Sequence, residues 1–231
     1  MKVAVISDIH GNDYALARVL EDATKCGVTR LFVLGDFVGY YYRPDRVLSQ
    51  LQDWQSDSIK GNHECMMERA ARDSAYADTV IGKYGHGIQQ ALNCLSPSQI
   101  EYLTHLPSQR QITIGDTKIL LCHGSPWQDD EYIYPDAPKA VFDRLANQGF
   151  DIICMGHTHH SIARRVNGTL VVNPGSVGQS RQRGGYASWA IIDSIALTAE
   201  IRETSYPTTD LLRLVRQRDP NVPYLAKVLT R

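Results

Sequence analysis

The chain lacks a hydrophobic run long enough to span a bilayer: nowhere do its 231 residues approach the ~18–20 consecutive apolar residues of a transmembrane helix. Its start, MKVAVISDIHGN, carries an acid and a histidine where a signal peptide is apolar, which predicts a soluble, unexported protein. Cysteine is sparse. Cys26, Cys65, Cys94, Cys122 and Cys154 include no C-x-x-C, and their odd number suits reduced thiols and a cytoplasmic location better than a disulfide framework. Cys122 and Cys154 stand in apolar strand-like runs and read as small core residues. No charge of one sign dominates, with 24 Lys and Arg against 25 Asp and Glu, which argues against a DNA-packaging or membrane-surface role. Repeats, low-complexity segments and Pro/Ser linkers are also missing, so 1–231 reads as one domain. A chain of this size buries about 70–75% of its unfolded surface and needs neither disulfide nor metal simply to fold. Any metal is therefore free to be functional.

What is present is an alternation of short apolar strands and helical patterns. Residues 2–7 form a β-branched run, followed by a turn at Gly11 and a helix with Leu16, Val19, Leu20 and Ala23 on one face. A second apolar strand, LFVLGD, follows Arg30, and a third is expected over 57–60. Continuous apolar strands between helices predict a parallel sheet covered on both faces. Residues 64–110 show no strand pattern and read as a helical insertion or cap. Beyond them QITIGDTKILLCHG and RRVNGTLVVN each read as a β-hairpin, turning at Gly-Asp and Asn-Gly. A helix over 138–148 and a buried strand over 151–155 lie between, and 186–192 with 195–202 form a last hairpin. The final LLRLVRQR is an amphipathic helix that packs either on its own sheet or across a dimer.

Five polar signatures stand at the ends of apolar runs: Asp8-Ile9-His10, Gly35-Asp36, Gly61-Asn62-His63-Glu64, His123-Gly124 and Gly156-His157-Thr158-His159. Each alone has a plainer reading as a turn or helix cap. Together they hold five of the eight histidines, which a solvated surface would scatter. Loops at the carboxyl ends of strands in open α/β sheets converge on one rim. That rim would gather Asp8, His10, Asp36, Asn62, His123, His157 and His159. Four imidazoles, two carboxylates and an amide suit Mn, Fe or Zn and are short of the carboxylates typical of Mg or Ca sites. Seven ligands are too many for one divalent ion and about right for two that share a bridge.

The ordered set D-x-H, GD, GNH-E, H-G and GHTH resembles the calcineurin-like metallophosphoesterase superfamily over roughly residues 1 to 195. The stretches GDFVGY, CHGSP and NPGSVGQ more narrowly resemble its small stand-alone prokaryotic phosphodiesterases and phosphatases. The resemblance implies an α/β/β/α sandwich of two mixed β-sheets, a four-layer α/β fold. It also implies one metal on Asp8, His10 and His159, a second on Asn62, His123 and His157, and Asp36 bridging both. Two metals about 3.5–4 Å apart polarise a phosphate oxygen and acidify a bridging water for in-line attack on phosphorus. His63 is the motif histidine left over, and both its place beside Asn62 and the resemblance imply protonation of the leaving oxygen or stabilisation of the charged transition state.

Departures from the family pattern bear on substrate. Ser/Thr protein phosphatases carry GD-x-x-D-R-G, with an Asp that orients the histidine and an Arg that grips a monoester dianion; here Gly39 and Tyr40 stand at those places. The expected substrate is therefore a small phosphodiester or nucleotide-type ester, with a metabolite phosphomonoester as the alternative. A non-catalytic protein-binding scaffold of the same fold is disfavoured by the presence of His63 and all seven ligands. Asn12 either contacts the ester or caps the helix, Arg43, near the second motif, is a candidate substrate contact, and Gln179 and Arg181 are candidates to line the cleft. Tyr40, Tyr41 and Tyr42 either stack on a ring of the substrate or pack the loop.

Overall fold

Period-two burial in short strands sets the architecture. In the computed structural model, which describes residues 1–231, β1 (Lys2–Ile6) turns Val3 and Val5 to one core and Ala4 and Ile6 to another. The same division recurs in β2 (Arg30–Val33), where Phe32 faces one way and Leu31 and Val33 the other. A strand whose both faces are apolar must be covered on both.

Helices α1 (Asp13–Lys25) and α2 (Pro44–Leu51) cover the outer face, and β3 (Gln55–Ser58) closes the edge parallel to β2. Helix α1 buries Leu16, Val19, Leu20 and Ala23, as their spacing predicts, each of the larger side chains contributing about 1.5–3 kcal/mol. Four helices follow: α3 (Asn62–Ala70), α4 (Ser74–Tyr84), α5 (Gly87–Cys94) and α6 (Pro97–His105). The second sheet is built from β4 (Gln109–Ile114), β5 (Thr117–Cys122), β6 (Ile152–Cys154), β7 (Ser161–Val166) and β8 (Thr169–Pro174), with α7 (Lys139–Ala146) on its outer side. The chain then returns to the first sheet with β9 (Tyr186–Asp193) and β10 (Thr198–Ser205), and ends in α8 (Thr209–Arg218) and α9 (Tyr224–Leu229).

The first sheet runs β10-β9-β1-β2-β3 and the second β4-β5-β6-β8-β7. In each, three parallel strands form the functional half: β1, β2 and β3, and β5, β6 and β8. Val3, Val5, Phe32 and Leu34 from one sheet meet Ile119, Leu121, Ile152, Cys154 and Val172 from the other, which makes the fold the expected four-layer sandwich. Cys122 and Cys154 are fully buried core residues. No helix is long and apolar enough to cross a membrane.

Four local differences from the sequence reading have physical causes. The third strand lies at Gln55–Ser58 because it is an edge strand with polar outward residues; Ile59 extends the ladder by one bond to the Val33 carbonyl, and Lys60 turns to the Pro107 carbonyl. The helical stretch ends at His105, so Gln109 and Arg110 already belong to β4. In the last hairpin Asp193 accepts the N–H groups of Ile195 and Ala196, capping a turn that leaves Ile195 81% exposed and starts β10 at Thr198. Helices α2 and α9 are absent from the sequence reading. Helices α8 and α9 dock on their own chain, the first burying Leu211 and Val215 and the second Leu225 and Leu229 in the core that holds α1.

Candidate metal centre

All five polar signatures leave the carboxyl ends of β1, β2, β5 and β6 or follow β3, and the two sheets bring those ends together. Backbone bonds carry the loops past the strands as if the sheet continued: Asp8 N–H donates to Gly35 O, His10 N–H to Asp36 O and Gly156 N–H to His123 O. Six of the eight non-glycine residues with positive φ belong here: Asp8, His10, Asp36, Tyr40, His157 and His159. Such backbone is disfavoured for residues with a Cβ, and it persists only where surrounding contacts enforce it.

The side chains converge. Asp8 Oδ1 lies 3.1 Å from His159 Nε2 and 3.8 Å from His10 Nε2. Asp36 Oδ2 lies 3.4 Å from His123 Nε2, 3.7 Å from His10 Nε2 and 3.9 Å from His63 Nε2, while its Oδ1 accepts the His63 backbone N–H. Asn62 Oδ1 is 3.1 Å from His123 Nε2. Asp8, His10 and His159 form one compact donor group, and Asp36, His123 and His157 another. A third grouping, His10 with Asp36 and His63, draws two of its members from the first two and offers no independent position.

Tautomers are set from behind. The Nδ1–H groups of His10, His123 and His159 donate to the carbonyls of Val38, Leu34 and Gln179 at 3.0, 2.6 and 2.9 Å. A neutral ring so fixed presents its Nε2 lone pair forward. His10 and His159 therefore point two lone pairs at each other across 3.1 Å, a repulsive contact without a cation or proton between them. Asp8 Oδ1 and His157 Nε2 are buried without any hydrogen-bond partner. Orphaned buried acceptors of this kind fit a metal-binding donor set.

Electrostatics agree. Burial, reinforced by the charge of His63, holds the His10 pKa well below the ordinary value, and burial with the charge of His123 brings His157 down to about 4. Burial also opposes protonation of His123, but Asp36 and Asp8 outweigh it and push that ring up to about 10. Burial raises both carboxylates, yet the neighbouring imidazoles win and hold Asp8 and Asp36 below the usual range. The acids are ionised, and the cluster as a whole attracts positive charge.

Asn12 is fully buried as the cap of α1: its Oδ1 accepts from Ala15 N–H and its Nδ2 donates to Gly178 O and Tyr206 Oη. The cap alternative describes it, and it offers no free donor to a substrate. Arg43 is committed to Asp13 Oδ2 at 3.3 Å and to the face of Tyr14, not to the donor cluster. Gln179 serves through its carbonyl; its side chain is fully buried, with Oε1 accepting from Tyr224 Oη at 3.4 Å and Nε2 left without a partner. Arg181 keeps an uncommitted head, with a buried Nε that has no partner and no ion pair. Although burial works against its charge, the phenols of Tyr224, Tyr40, Tyr134 and Tyr132 hold its pKa above the ordinary value. Tyr41 and Tyr42 pack inward, donating to Leu225 O and Asp219 Oδ2, whereas the Tyr40 ring stands 4.5 Å from His10 and 4.9 Å from His63.

The sequence motifs include several supporting residues but do not show their bracing roles. Glu64, wholly buried, accepts four backbone N–H groups, those of Phe37 and Val38 on Oε1 and of Asp36 and Gly61 on Oε2. Burial and the Asp36 charge push its pKa to about 7 against those donors. An acid three residues into a helix after glycine is the capping-box signal that marks it. Gly61 itself has no room for a side chain, since a Cβ there would lie 2.2 Å from Asp36 Oδ1. Asn173 donates to Gly156 O and Thr158 Oγ1, and Ser176 to Asp8 O, so the NPGS stretch braces two of the ligand loops.

The chain is similar to known proteins along most of its length. Protein MJ0912 of Methanocaldococcus jannaschii is 31% identical over 223 residues, covering 88% of this chain and 87% of that one. Phosphodiesterase YfcE of Escherichia coli K12 is 27% identical over 210 residues, 86% of this chain and 90% of that one. Among solved structures, protein PH1004 of Pyrococcus horikoshii OT3 superposes with a TM-score of 0.86 at 22% identity, covering 100% of this chain and 98% of that one. Residues 1–194 match the model of the calcineurin-like phosphoesterase superfamily domain, and these residues include every ligand-type side chain of the cluster, so the chain belongs to that family.

Proposed function

We propose that the protein is a metal-dependent hydrolase of small phosphodiesters, its whole chain acting as one domain. The observation that carries this reading is the convergence of two donor groups, Asp8-His10-His159 and Asp36-His123-His157, on neighbouring positions with the Asp36 carboxylate between them. Asn62 completes the second group. Two divalent cations bound there, of the Mn, Fe or Zn type, would supply Lewis acidity at phosphorus and a nucleophile near neutral pH. The reaction adds water to phosphorus and breaks the P–O ester bond, and the departing alkoxide takes a proton.

His63 is the residue for that proton. It is buried, its Nε2 faces the cluster 3.9 Å from Asp36 Oδ2, and the rings of His10, Tyr40 and Tyr84 hold it at 4.6, 4.9 and 5.6 Å. No carboxylate orients it from behind: its Nδ1 has no partner and abuts Gly39. Orientation comes from packing. Tyr40, a neutral ring, occupies the place where protein phosphatases grip a dianion, which favours the singly charged diester over the monoester.

The test is hydrolysis of bis(p-nitrophenyl) phosphate and p-nitrophenyl phosphate by metal-stripped protein, with and without Mn²⁺, beside a His63→Asn control. Metal-dependent diester cleavage is expected to exceed monoester cleavage. The control should lose about 10²–10⁴-fold in kcat while still taking up metal. Faster cleavage of the monoester would overturn the diester assignment, and no turnover by metal-loaded protein would overturn the hydrolase reading itself.

A further inference from the structure

Tyr132, on the loop between β5 and α7, is left 53% exposed, and its ring centroid sits 4.0 Å from that of His157. Tyr134 lies nearly parallel beside it, 6.0 Å away with the planes 15° apart. Tyr84, the last residue of α4, brings its ring to 5.6 Å from His63. Tyr132 and Tyr84 border a cavity of about 380 Å³ whose walls also include Asn62, Met66, Tyr76 and His157. Small-molecule sites begin at about this size. Two of the walls, Asn62 and His157, belong to the proposed donor set, so the cavity opens directly on the place where phosphorus would sit.

Three tyrosine rings and Met66 supply most of its apolar wall, and away from the donor set Asp130 and Arg69 are its charged groups. Arg69, one of its walls, stacks at 3.9 Å on the Tyr76 ring. A phosphate held at the metal centre would leave one ester group in this slot. Aromatic side chains gain from stacking on any planar ring, largely independent of its hydrogen-bonding edge.

We propose that this slot is a specificity subsite that takes a planar ring, a nucleobase or an aryl group, esterified to the phosphate, and that Tyr132 and Tyr84 set the preference. This rests on the phosphodiesterase reading above. The probes are three methyl phosphodiesters of primary alcohols, thymidine through its 5′ oxygen, benzyl alcohol and glycerol, which place different groups on similar alkoxides. With Mn²⁺-loaded protein, the ring-bearing diesters are expected to show kcat/KM at least about tenfold above the glycerol diester. Tyr132→Leu should cut that ratio about tenfold while changing the glycerol diester less than about twofold, Tyr132→Phe should keep it, and Tyr84→Leu, which also loosens His63 and so slows every diester, should still cut the ratio about tenfold. The ring that gains more, thymine or phenyl, identifies the source. Equal kcat/KM for all three diesters, or a ratio untouched by both leucine variants, overturns the proposal. If no diester is cleaved, the hydrolase reading fails separately, and the slot is decided by calorimetric titration with thymidine 5′-monophosphate. Binding weakened about tenfold by Tyr132→Leu sustains it, and no binding, or binding indifferent to that change, overturns it.

Discussion

Glu64→Gln is the sharpest perturbation the structure offers, because it changes almost no volume and reverses one set of hydrogen bonds. Each carboxylate oxygen accepts two backbone N–H groups, at 2.8 and 3.2 Å on Oε1 and at 2.9 and 2.8 Å on Oε2. Whichever way a glutamine amide is turned, its NH₂ faces two N–H donors and can accept from neither. Two buried backbone donors are then orphaned, at about 1–3 kcal/mol each, so the ceiling is about 6 kcal/mol and about 3 kcal/mol is expected after relaxation. For a chain of this length that lowers Tm by about 6–12 °C. The donors belong to Asp36, Phe37, Val38 and Gly61, the backbone that positions the Asp36 carboxylate and Asn62. Metal affinity should therefore fall by about 10–100-fold, as it does when groups supporting metal ligands are lost. Thermal unfolding of metal-free protein, followed by titration with Mn²⁺, separates the two effects. A variant within about 1 kcal/mol of wild type that binds Mn²⁺ normally would falsify the view that Glu64 is the clamp of this loop pair.

Gly39→Ala tests whether packing alone orients His63. The residue has φ of 90°, which costs a Cβ-bearing residue about 1–2 kcal/mol, and the new Cβ would lie 2.0 Å from His63 Nδ1. The expected result is a kcat loss of at least about 10²-fold with metal uptake retained, and wild-type turnover would show that the ring needs no such support. Asn12→Ala should lower stability by about 0.5–2 kcal/mol through the lost cap and leave the KM for a diester unchanged. A raised KM with unchanged unfolding would return Asn12 to the substrate.

The legible part of the molecule was the part written in side-chain identity. Alternation of Val3 and Val5 with Ala4 and Ile6, or the face of Leu16, Val19 and Leu20, follows directly from burial, and burial is what the sequence pattern encodes. The ligand-type residues were legible because acids and imidazoles stand where apolar strands stop. What supports them was not. Three of the imidazoles are aimed by the carbonyls of Leu34, Val38 and Gln179, and a carbonyl leaves no mark on residue identity. Tyr132 reaches His157 across a fold whose loop geometry no local pattern specifies. Arg43 misled because nearness in sequence to Asp36 is not nearness of its guanidinium, which Asp13 and Tyr14 claim.

The backbone strain at the centre joins these two halves of the argument. Asp8, His10, Asp36, Tyr40, His157 and His159 all hold positive φ, each costing about 1–3 kcal/mol, so together the strain rivals the about 5–15 kcal/mol by which a domain is stable. Local preference alone would place glycine or asparagine at those positions. Glycine does occupy the neighbouring strained positions Gly11, Gly35 and Gly39, where the side chain has no task. The ligand-type residues sit in the unfavourable conformation because only there do their side chains point at a common centre. The surrounding clamp of Glu64, Asn173 and Ser176 offsets the cost. A sequence that puts aspartate and histidine where the turn prefers glycine is therefore already describing chemistry, and the residues that break the local rule are the ones to which the function should be traced.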